Sequence, residues 1–165
     1  MSDWHYTLAL KREMERDEET ITGWILEDLG LFKMELPLGA GPEQQEADLS
    51  PHQFTQLVAA AEETESVPAL INYLRYQIAR SKKGQGWQYA NVGAQIIAEL
   101  EGNVRANAHN AAQCAAERVR GASAVATDEE ERRAWVELSR RFLAALRRCF
   151  AWRLKEHERE EVTSL

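Results

Sequence analysis

The stretch TDEEERRAWVELSRRFLAALRRCFAWRLKEH, residues 127–157, decides the fold class of this chain. It opens with Thr127 and Glu130, which have the spacing of a capping box at the start of a helix. Apolar residues then recur at helical spacing and predict one buried face. They are Trp135, Leu138, Phe142, Ala145 and Cys149. The sequence has no proline after Pro68, so the strongest helix breaker is absent from this half of the chain. We therefore expect a mainly α-helical fold that ends in a long helix.

Three further helices are predicted before this stretch. Ser50 followed by Pro51 has the pattern of an N-cap with proline at the first helical position. Ser66 restarts the chain for a second helix, and a long third helix follows from about residue 88 to about residue 120. Four helices joined by short turns predict an antiparallel bundle, which we place in a domain of residues 51–160.

Residues 1–50 predict a separate acidic N-terminal segment. Alternating apolar residues near its start have the period of a strand. They are Trp4, Tyr6, Leu8 and Leu10. Residues 20–38 are rich in β-branched and aromatic side chains and suit a hairpin, and a polar linker containing Gly and Pro follows. A helix remains an alternative, because residues 11–19 are good helix formers. We favour a small irregular or β-containing element.

Composition indicates a globular protein of one domain. The 165 residues are 44% hydrophobic and 28% charged, which is ordinary for a folded domain. No apolar run is long enough to cross a membrane, and the first residues lack the layout of a signal peptide. The two cysteines, Cys114 and Cys149, are not clustered and suit a reducing compartment. We expect a cytoplasmic protein without membrane contact.

Charge is distributed unevenly along the chain. Residues 1–70 hold four Lys or Arg against fifteen Asp or Glu, whereas residues 71–165 hold sixteen against twelve. The net charge is −7. An acidic front and a basic, arginine-rich rear predict a protein that meets a polyanion or an acidic partner with one end only.

Aromatic and basic residues alternate along the second predicted helix. Cations attract phosphate and aromatic faces stack on unpaired bases, so this mixture is typical of single-stranded nucleic-acid binding. The candidate RNA-binding residues are Tyr73, Arg75, Tyr76, Arg80, Lys82 and Lys83. The alternative is that both tyrosines are half-buried and that the cations only solvate a helix end, where positive charge is favourable on its own account.

The last predicted helix carries two rows of arginine. Arginine presents a planar fork that fits phosphate or carboxylate. The candidates for subunit or RNA contact are Arg133, Arg140, Arg141, Arg147 and Arg148. The alternative is a solvated helix face. An acidic run at residues 13–19 is either solvated, docked on the basic row of a neighbouring copy, or a mask over that row.

Nothing in the sequence indicates catalysis. The four histidines and two cysteines have no metal-ligand spacing, and phosphate-binding glycine motifs and nucleophile-elbow motifs are absent. We expect no enzyme activity, no cofactor and no metal site.

Three stretches of the sequence, taken in order, resemble the sequence of a known protein family. Residues 49–54 (LSPHQF) open a short helix, residues 73–80 (YLRYQIAR) close a second, and a last helix combines basic residues with Trp135, Phe142, Phe150 and Trp152. In this order, residues 49–106 and 127–157 resemble the small helical subunit of type III CRISPR effector complexes. The resemblance implies a non-enzymatic, all-helical subunit that stacks on copies of itself and lines the groove that holds guide and target RNA.

The resemblance also implies roles for particular residues. Arg75, Arg80, Lys82 and Lys83 would face RNA, and the arginines of the last helix would serve subunit contacts or RNA. The leading hypothesis is therefore a helical subunit of a nucleoprotein complex in antiviral defence, with RNA and protein subunits as partners. The alternative is a protein-only adaptor or regulatory module that binds other proteins through its acidic front and basic body, and that self-associates or binds an acidic client.

Overall fold

The computed structural model describes residues 3–27 and 49–163, which form six α-helices and one 3₁₀ helix, with no strand in these two ranges. The α-helices are α1 (Asp3–Glu27), α2 (Pro51–Glu63), α3 (Val67–Arg80), α4 (Val92–Glu101), α5 (Asn103–Arg120) and α6 (Asp128–Thr163). The 3₁₀ helix spans Gly86–Asn91. The predicted mainly α-helical fold is confirmed.

The predicted helix starts are confirmed by hydrogen bonds at their caps. At the start of α2, the backbone N–H of Ser50 donates to the Gln53 side chain at 2.9 Å. Thr127 and Glu130 form the reciprocal capping box before α6: the Glu130 N–H donates to Thr127 Oγ1 at 3.2 Å, and the Thr127 N–H donates to Glu130 Oε2 at 2.9 Å. These bonds satisfy backbone donors that a helix start leaves unpaired.

The strand prediction for the N-terminal segment is wrong, because residues 3–27 form one long helix. Tyr6, Leu10 and Met14 are all buried, and their steps of four residues define a helical face. The short run of alternating apolar residues fitted both periods, and Trp4 is exposed on the helix. The proposed hairpin is helical up to Glu27, and the rest of it, with the linker to residue 48, lies outside the described residues.

The predicted long third helix is divided in two. Its first residues are the 3₁₀ helix, and α4 is separated from α5 at Gly102, whose backbone is not helical (φ −98°, ψ −99°). A Cβ at this position would lie only 2.9 Å from the carbonyl oxygen of Ala98, so glycine allows the chain to turn here. The division places α4 against α3, and α5 against α1 and α6.

α6 is the central helix of the molecule and packs against α1, α2 and α5. α2 runs antiparallel to it, because Phe54 near the start of α2 stacks on Phe150 at 4.4 Å between ring centroids. α5 is also antiparallel, and Trp135 of α6 lies against the α4–α5 junction through a hydrogen bond to the Leu100 carbonyl. α1 runs parallel to α6, since Thr7 contacts Arg133 and Glu18 contacts Arg141.

Small side chains line the buried face of α5. Alanine allows the close approach of neighbouring helices, and α5 packs against both α1 and α6, which also pack against each other. The buried alanines are Ala108, Ala111, Ala112, Ala115 and Ala116. α3, α4 and the 3₁₀ helix pack on one another beside this assembly, and the buried ring of Trp87 meets Phe54 edge-on at 5.2 Å.

Candidate nucleic-acid interface

The end of α3 is held firmly by the segment that follows it. Gln88 donates hydrogen bonds from its side-chain amide to the carbonyl oxygens of Ile78 at 2.9 Å and Ser81 at 3.0 Å. These bonds satisfy carbonyls that the last turn of a helix leaves unpaired. The segment that carries Lys82 and Lys83 therefore leaves α3 in a fixed direction.

α4 approaches the same end of α3 closely. A Cβ at Gly93 would lie 2.6 Å from Cγ1 of Ile78 and 3.0 Å from the Trp87 carbonyl oxygen. Only glycine fits this contact without displacement of its neighbours. The end of α3 is therefore supported by the closely packed backbone of α4 at Gly93.

Tyr76, Arg80, Lys82 and Lys83 are all exposed at and just after the end of α3, and we call these four residues the α3 basic end. Tyr76 is 58% exposed, and the Arg80 guanidinium lies over its ring at 5.4 Å from the centroid. Among the side chains that the structure describes, no carboxylate forms an ion pair with any of its three cations. The reason is visible in the sequence: residues 66–98 contain no Asp or Glu.

The other two predicted residues of this helix lie differently. Tyr73 is half-buried and packs against the hydrophobic core, as the alternative interpretation of the tyrosines had it. Arg75 is exposed and forms an ion pair with Glu101 of α4 at 3.3 Å. Four of the six predicted residues are therefore exposed at or just after the end of α3, and the three cations among them have no ion-pair partner among the described side chains.

Arg140 of α6 is used inside the molecule. Its side chain donates hydrogen bonds to the carbonyl oxygens of Ala61 and Thr64, both at 2.9 Å, and contacts the Glu65 carboxylate at 3.0 Å. The two carbonyls belong to the end of α2, where backbone acceptors have no partner within the helix. Arg140 thus caps α2 and joins it to α6.

Three of the other four predicted arginines of α6 form hydrogen bonds or ion pairs with side chains of the same molecule. Arg133 donates to the Thr7 hydroxyl at 2.9 Å. Arg141 pairs with Glu137 at 3.1 Å and with Glu18 at 3.5 Å, and Arg148 lies 3.7 Å from the same Glu18 carboxylate. Arg147 is half-buried, and no described carboxylate pairs with it.

Two carboxylates of the acidic run lie on basic residues of their own chain. Glu18 contacts the α6 arginines, and the nearly buried Glu13 lies 2.5 Å from Arg118 of α5 and 3.6 Å from Arg16. Each charge partly offsets the cost of removing the other from water. The charge that is separated along the sequence is therefore recombined when α1 packs on α5 and α6.

A polar cleft, which the sequence analysis did not identify, opens between the start of α3, the α4–α5 junction and the start of α6. Its volume is about 760 Å³, and Pro68, Glu101, Arg105, His109 and Trp135 are among its lining residues. The Arg105 guanidinium lies over the Trp135 ring at 4.8 Å from the centroid. These residues come from four helices, α3, α4, α5 and α6, so no spacing in the sequence could have grouped them.

Several ionisable groups have pKa values shifted by their surroundings. The hydrogen bond from Arg120 lowers the pKa of Glu130, and the Thr127 N–H lowers it further. Burial raises the pKa of Tyr6 to about 12 and raises that of the Cys149 thiol. Each of these shifts has a structural cause in packing or capping.

In the part of the chain that the structure describes, no three His, Cys, Asp or Glu side chains are grouped as a metal ion would need. None of the described helices is both long and apolar enough to cross a membrane. No family model, curated protein or solved structure matches this chain.

Proposed function

We propose that this protein is a non-enzymatic helical subunit of a nucleoprotein complex and that it contacts the RNA backbone through the α3 basic end. One observation carries the proposal: Arg80, Lys82 and Lys83 are exposed without an ion-pair partner among the described residues, in a stretch of sequence free of acidic residues. Unpaired cations of this kind release counterions from a phosphate backbone when they bind it.

Tyr76 extends the proposal from phosphate to single-stranded RNA. Its ring is exposed and has Arg80 on one side, and a base of any identity can stack on such an aromatic face. Single strands offer unstacked bases, whereas a duplex does not. The α3 basic end is therefore suited to an unpaired strand held without sequence preference.

The α6 arginines have a structural role in this proposal. Arg140 and Arg141 already contact α1 and α2, and RNA binding there would require those contacts to break. The resemblance to small subunits of type III CRISPR effectors suggests the setting: a cytoplasmic antiviral complex in which protein subunits and copies of this chain are further partners. Residues 51–63, 67–80 and 128–157, on which that resemblance partly rests, are helical.

The test is binding of a fluorescent single-stranded RNA, followed by anisotropy at several salt concentrations. A triple variant, Arg80→Ala with Lys82→Ala and Lys83→Ala, should bind more weakly, and its slope of log affinity against log salt should fall by about 2, since each phosphate contact contributes about 0.7.

The control variant removes three exposed cations from α1, by Lys11→Ala, Arg12→Ala and Arg16→Ala. Both variants have the same net charge, so a location-specific effect appears only in the first. Equal weakening in both variants, or no binding by the unmodified protein, would contradict the proposal.

The protein-only alternative is favoured by two exposed tryptophans. Trp4 is 64% and Trp152 is 52% exposed, and tryptophan is enriched where proteins meet. An adaptor would elute free of nucleic acid and would associate with itself or with an acidic protein. Loss of that association in Trp152→Ala, measured by sedimentation velocity, would support this alternative.

A further inference from the structure

The ionisable side chains lining the polar cleft are three carboxylates (Glu101, Asp128 and Glu131), two arginines and one histidine. Arg105 is the one of these cations for which no described carboxylate serves as a partner. Glu101 pairs with Arg75 at 3.3 Å, His109 Nδ1 lies 2.8 Å from Glu131, and Arg132 contacts Glu129. The Arg105 guanidinium instead lies over the Trp135 ring at 4.8 Å from the centroid, and the Trp135 indole N–H donates to the Leu100 carbonyl at 2.9 Å. The ring that supports the guanidinium is therefore fixed in place.

A guanidinium held in this way is prepared to bind an anion. Arg105 is exposed, so its N–H groups can still donate to an anion, and contact with the indole ring restricts the rotamers that binding would otherwise have to fix. Arginine planes of this kind also stack on unpaired bases. The cleft thus combines a hydrogen-bond donor for phosphate, Arg105, with a stacking surface.

The cleft and the α3 basic end lie along the same helix. Pro68 of α3 lines the cleft, and Arg80 lies twelve residues later, about 18 Å away at the helical rise of 1.5 Å per residue. Arg75 lies between the two, and its partner Glu101 is itself a lining residue of the cleft. A single extended strand could therefore reach from one site to the other along α3.

We propose that the cleft is a second contact point for the same single-stranded RNA, with Arg105 as the residue that binds it. This inference rests on the function proposed above, and it adds a path: the strand lies on the α3 basic end, passes Arg75, and enters the cleft over Arg105 and Trp135. Both sites place an arginine over an aromatic ring, Arg80 over Tyr76 and Arg105 over Trp135, and this combination of a cation with a stacking face favours a nucleic acid over an acidic peptide.

The experiment compares two oligouridines, one of about five and one of about twelve nucleotides, within the range of site sizes of single-strand binding folds. The short strand can occupy only one site at a time, whereas the long strand can span both. Arg105→Ala should weaken binding of the long strand about fivefold to tenfold and lower its salt slope by about 0.7, which corresponds to one phosphate. Binding of the short strand to the α3 basic end should change little.

Two single variants serve as comparisons. Arg12→Ala removes an exposed arginine from α1 and should leave binding of both strands unchanged. Arg105→Lys keeps the charge but loses the planar fork, so it should retain the salt slope of the unmodified protein and still bind the long strand more weakly. Arg105 is exposed, so its replacement should leave the thermal unfolding midpoint nearly unchanged.

The outcomes separate this inference from the proposed function. If Arg105→Ala binds both strands normally while the triple variant of the α3 basic end does not, the cleft contact is wrong and the proposed function stands. If neither variant changes binding, or no RNA binds, both are wrong. Equal losses in Arg105→Ala and Arg12→Ala would show only diffuse attraction. Equal competition by an oligoglutamate of the same charge would assign the cleft to an acidic polypeptide instead.

Discussion

The arginines of α6 and the cations at the end of α3 follow similar patterns in sequence. In the fold, most of the α6 arginines are paired within the molecule, whereas the cations at the end of α3 are exposed without an ion-pair partner among the described side chains. Arg140 and Arg141 of α6 are contacted by carbonyls and carboxylates of α1 and α2. Arg80 and Lys82 have no such partner in the described part of the chain. Spacing alone therefore does not distinguish a structural cation from an exposed one. What distinguishes them is whether an acid-bearing helix packs alongside.

The largest expected effect in this comparison comes from Arg140→Ala. The substitution removes charged hydrogen bonds to the end of α2, so we expect the free energy of unfolding to fall by about 2–3 kcal/mol. Urea denaturation followed by circular dichroism measures the change, provided that the denaturant slope stays constant.

The matched variant for this prediction is Arg140→Lys, which keeps the charge but cannot span the same carbonyls. We expect it to recover less than half of the loss. A change below about 0.5 kcal/mol in Arg140→Ala, the range of ordinary surface substitutions, would show that Arg140 is not a structural cation.

A smaller loss of stability is expected when the pH is lowered. Hydrogen bonds from Arg120 and Thr127 lower the pKa of Glu130 in the folded protein, so its stabilising contribution is present above the ordinary glutamate pKa and is lost as the pH falls through the lowered value. Thermal unfolding midpoints measured from neutral pH to about pH 3 should fall less steeply in Glu130→Gln than in the unmodified protein. Parallel curves for the two proteins would contradict this account of the α6 start.

The ion pairs between α1 and α6 should contribute still less to the free energy of unfolding. Glu18 bridges Arg141 and Arg148 at 3.5 and 3.7 Å, but its side chain is 44% exposed, so screening by solvent reduces the interaction. A double-mutant cycle with Glu18→Gln and Arg141→Ala should give a coupling energy of about 0.5–1 kcal/mol that declines in high salt. A coupling of zero would mean that the pair of Glu18 and Arg141 does not help to hold α1 against α6.

The smallest effect on stability is expected from the triple variant of the α3 basic end. Removal of three unpaired, exposed cations should change the free energy of unfolding by less than about 0.5 kcal/mol. The same denaturation experiment measures it. A loss as large as that of Arg140→Ala would mean that these cations, too, hold the fold together, and the contrast between the two helices would disappear.

Helix starts were the most predictable part of the fold. Ser50, Thr127 and Pro51 act locally, through bonds within one turn, so their consequences are visible in the sequence. The N-terminal segment was less predictable, because four alternating apolar residues fit a strand as well as a helix. Only packing on α5 and α6, which involves residues about a hundred positions away, selects the helix.

The candidate site was predictable in the same uneven way. The α3 basic end lies within eight residues of sequence, so the local run of aromatic and basic residues was enough to find it, although α3 ends at Arg80, before Lys82 and Lys83. The polar cleft and the Arg140 cap depend on contacts between distant helices, and neither could be inferred from spacing. The ion pairs of Glu18 could not be predicted from the sequence either, because its partners lie more than 120 residues further along the chain.

The alanines of α5 have a consequence for which substitutions the chain tolerates. Ala112, Ala115 and Ala116 have no exposed surface, and helices lie on both sides of them. Even a valine there would need room that only displacement of α5 from α1 or from α6 could provide. In a saturation library selected for folded protein, these positions should accept little beyond glycine, serine and cysteine, while the exposed positions of the same helix accept most residues.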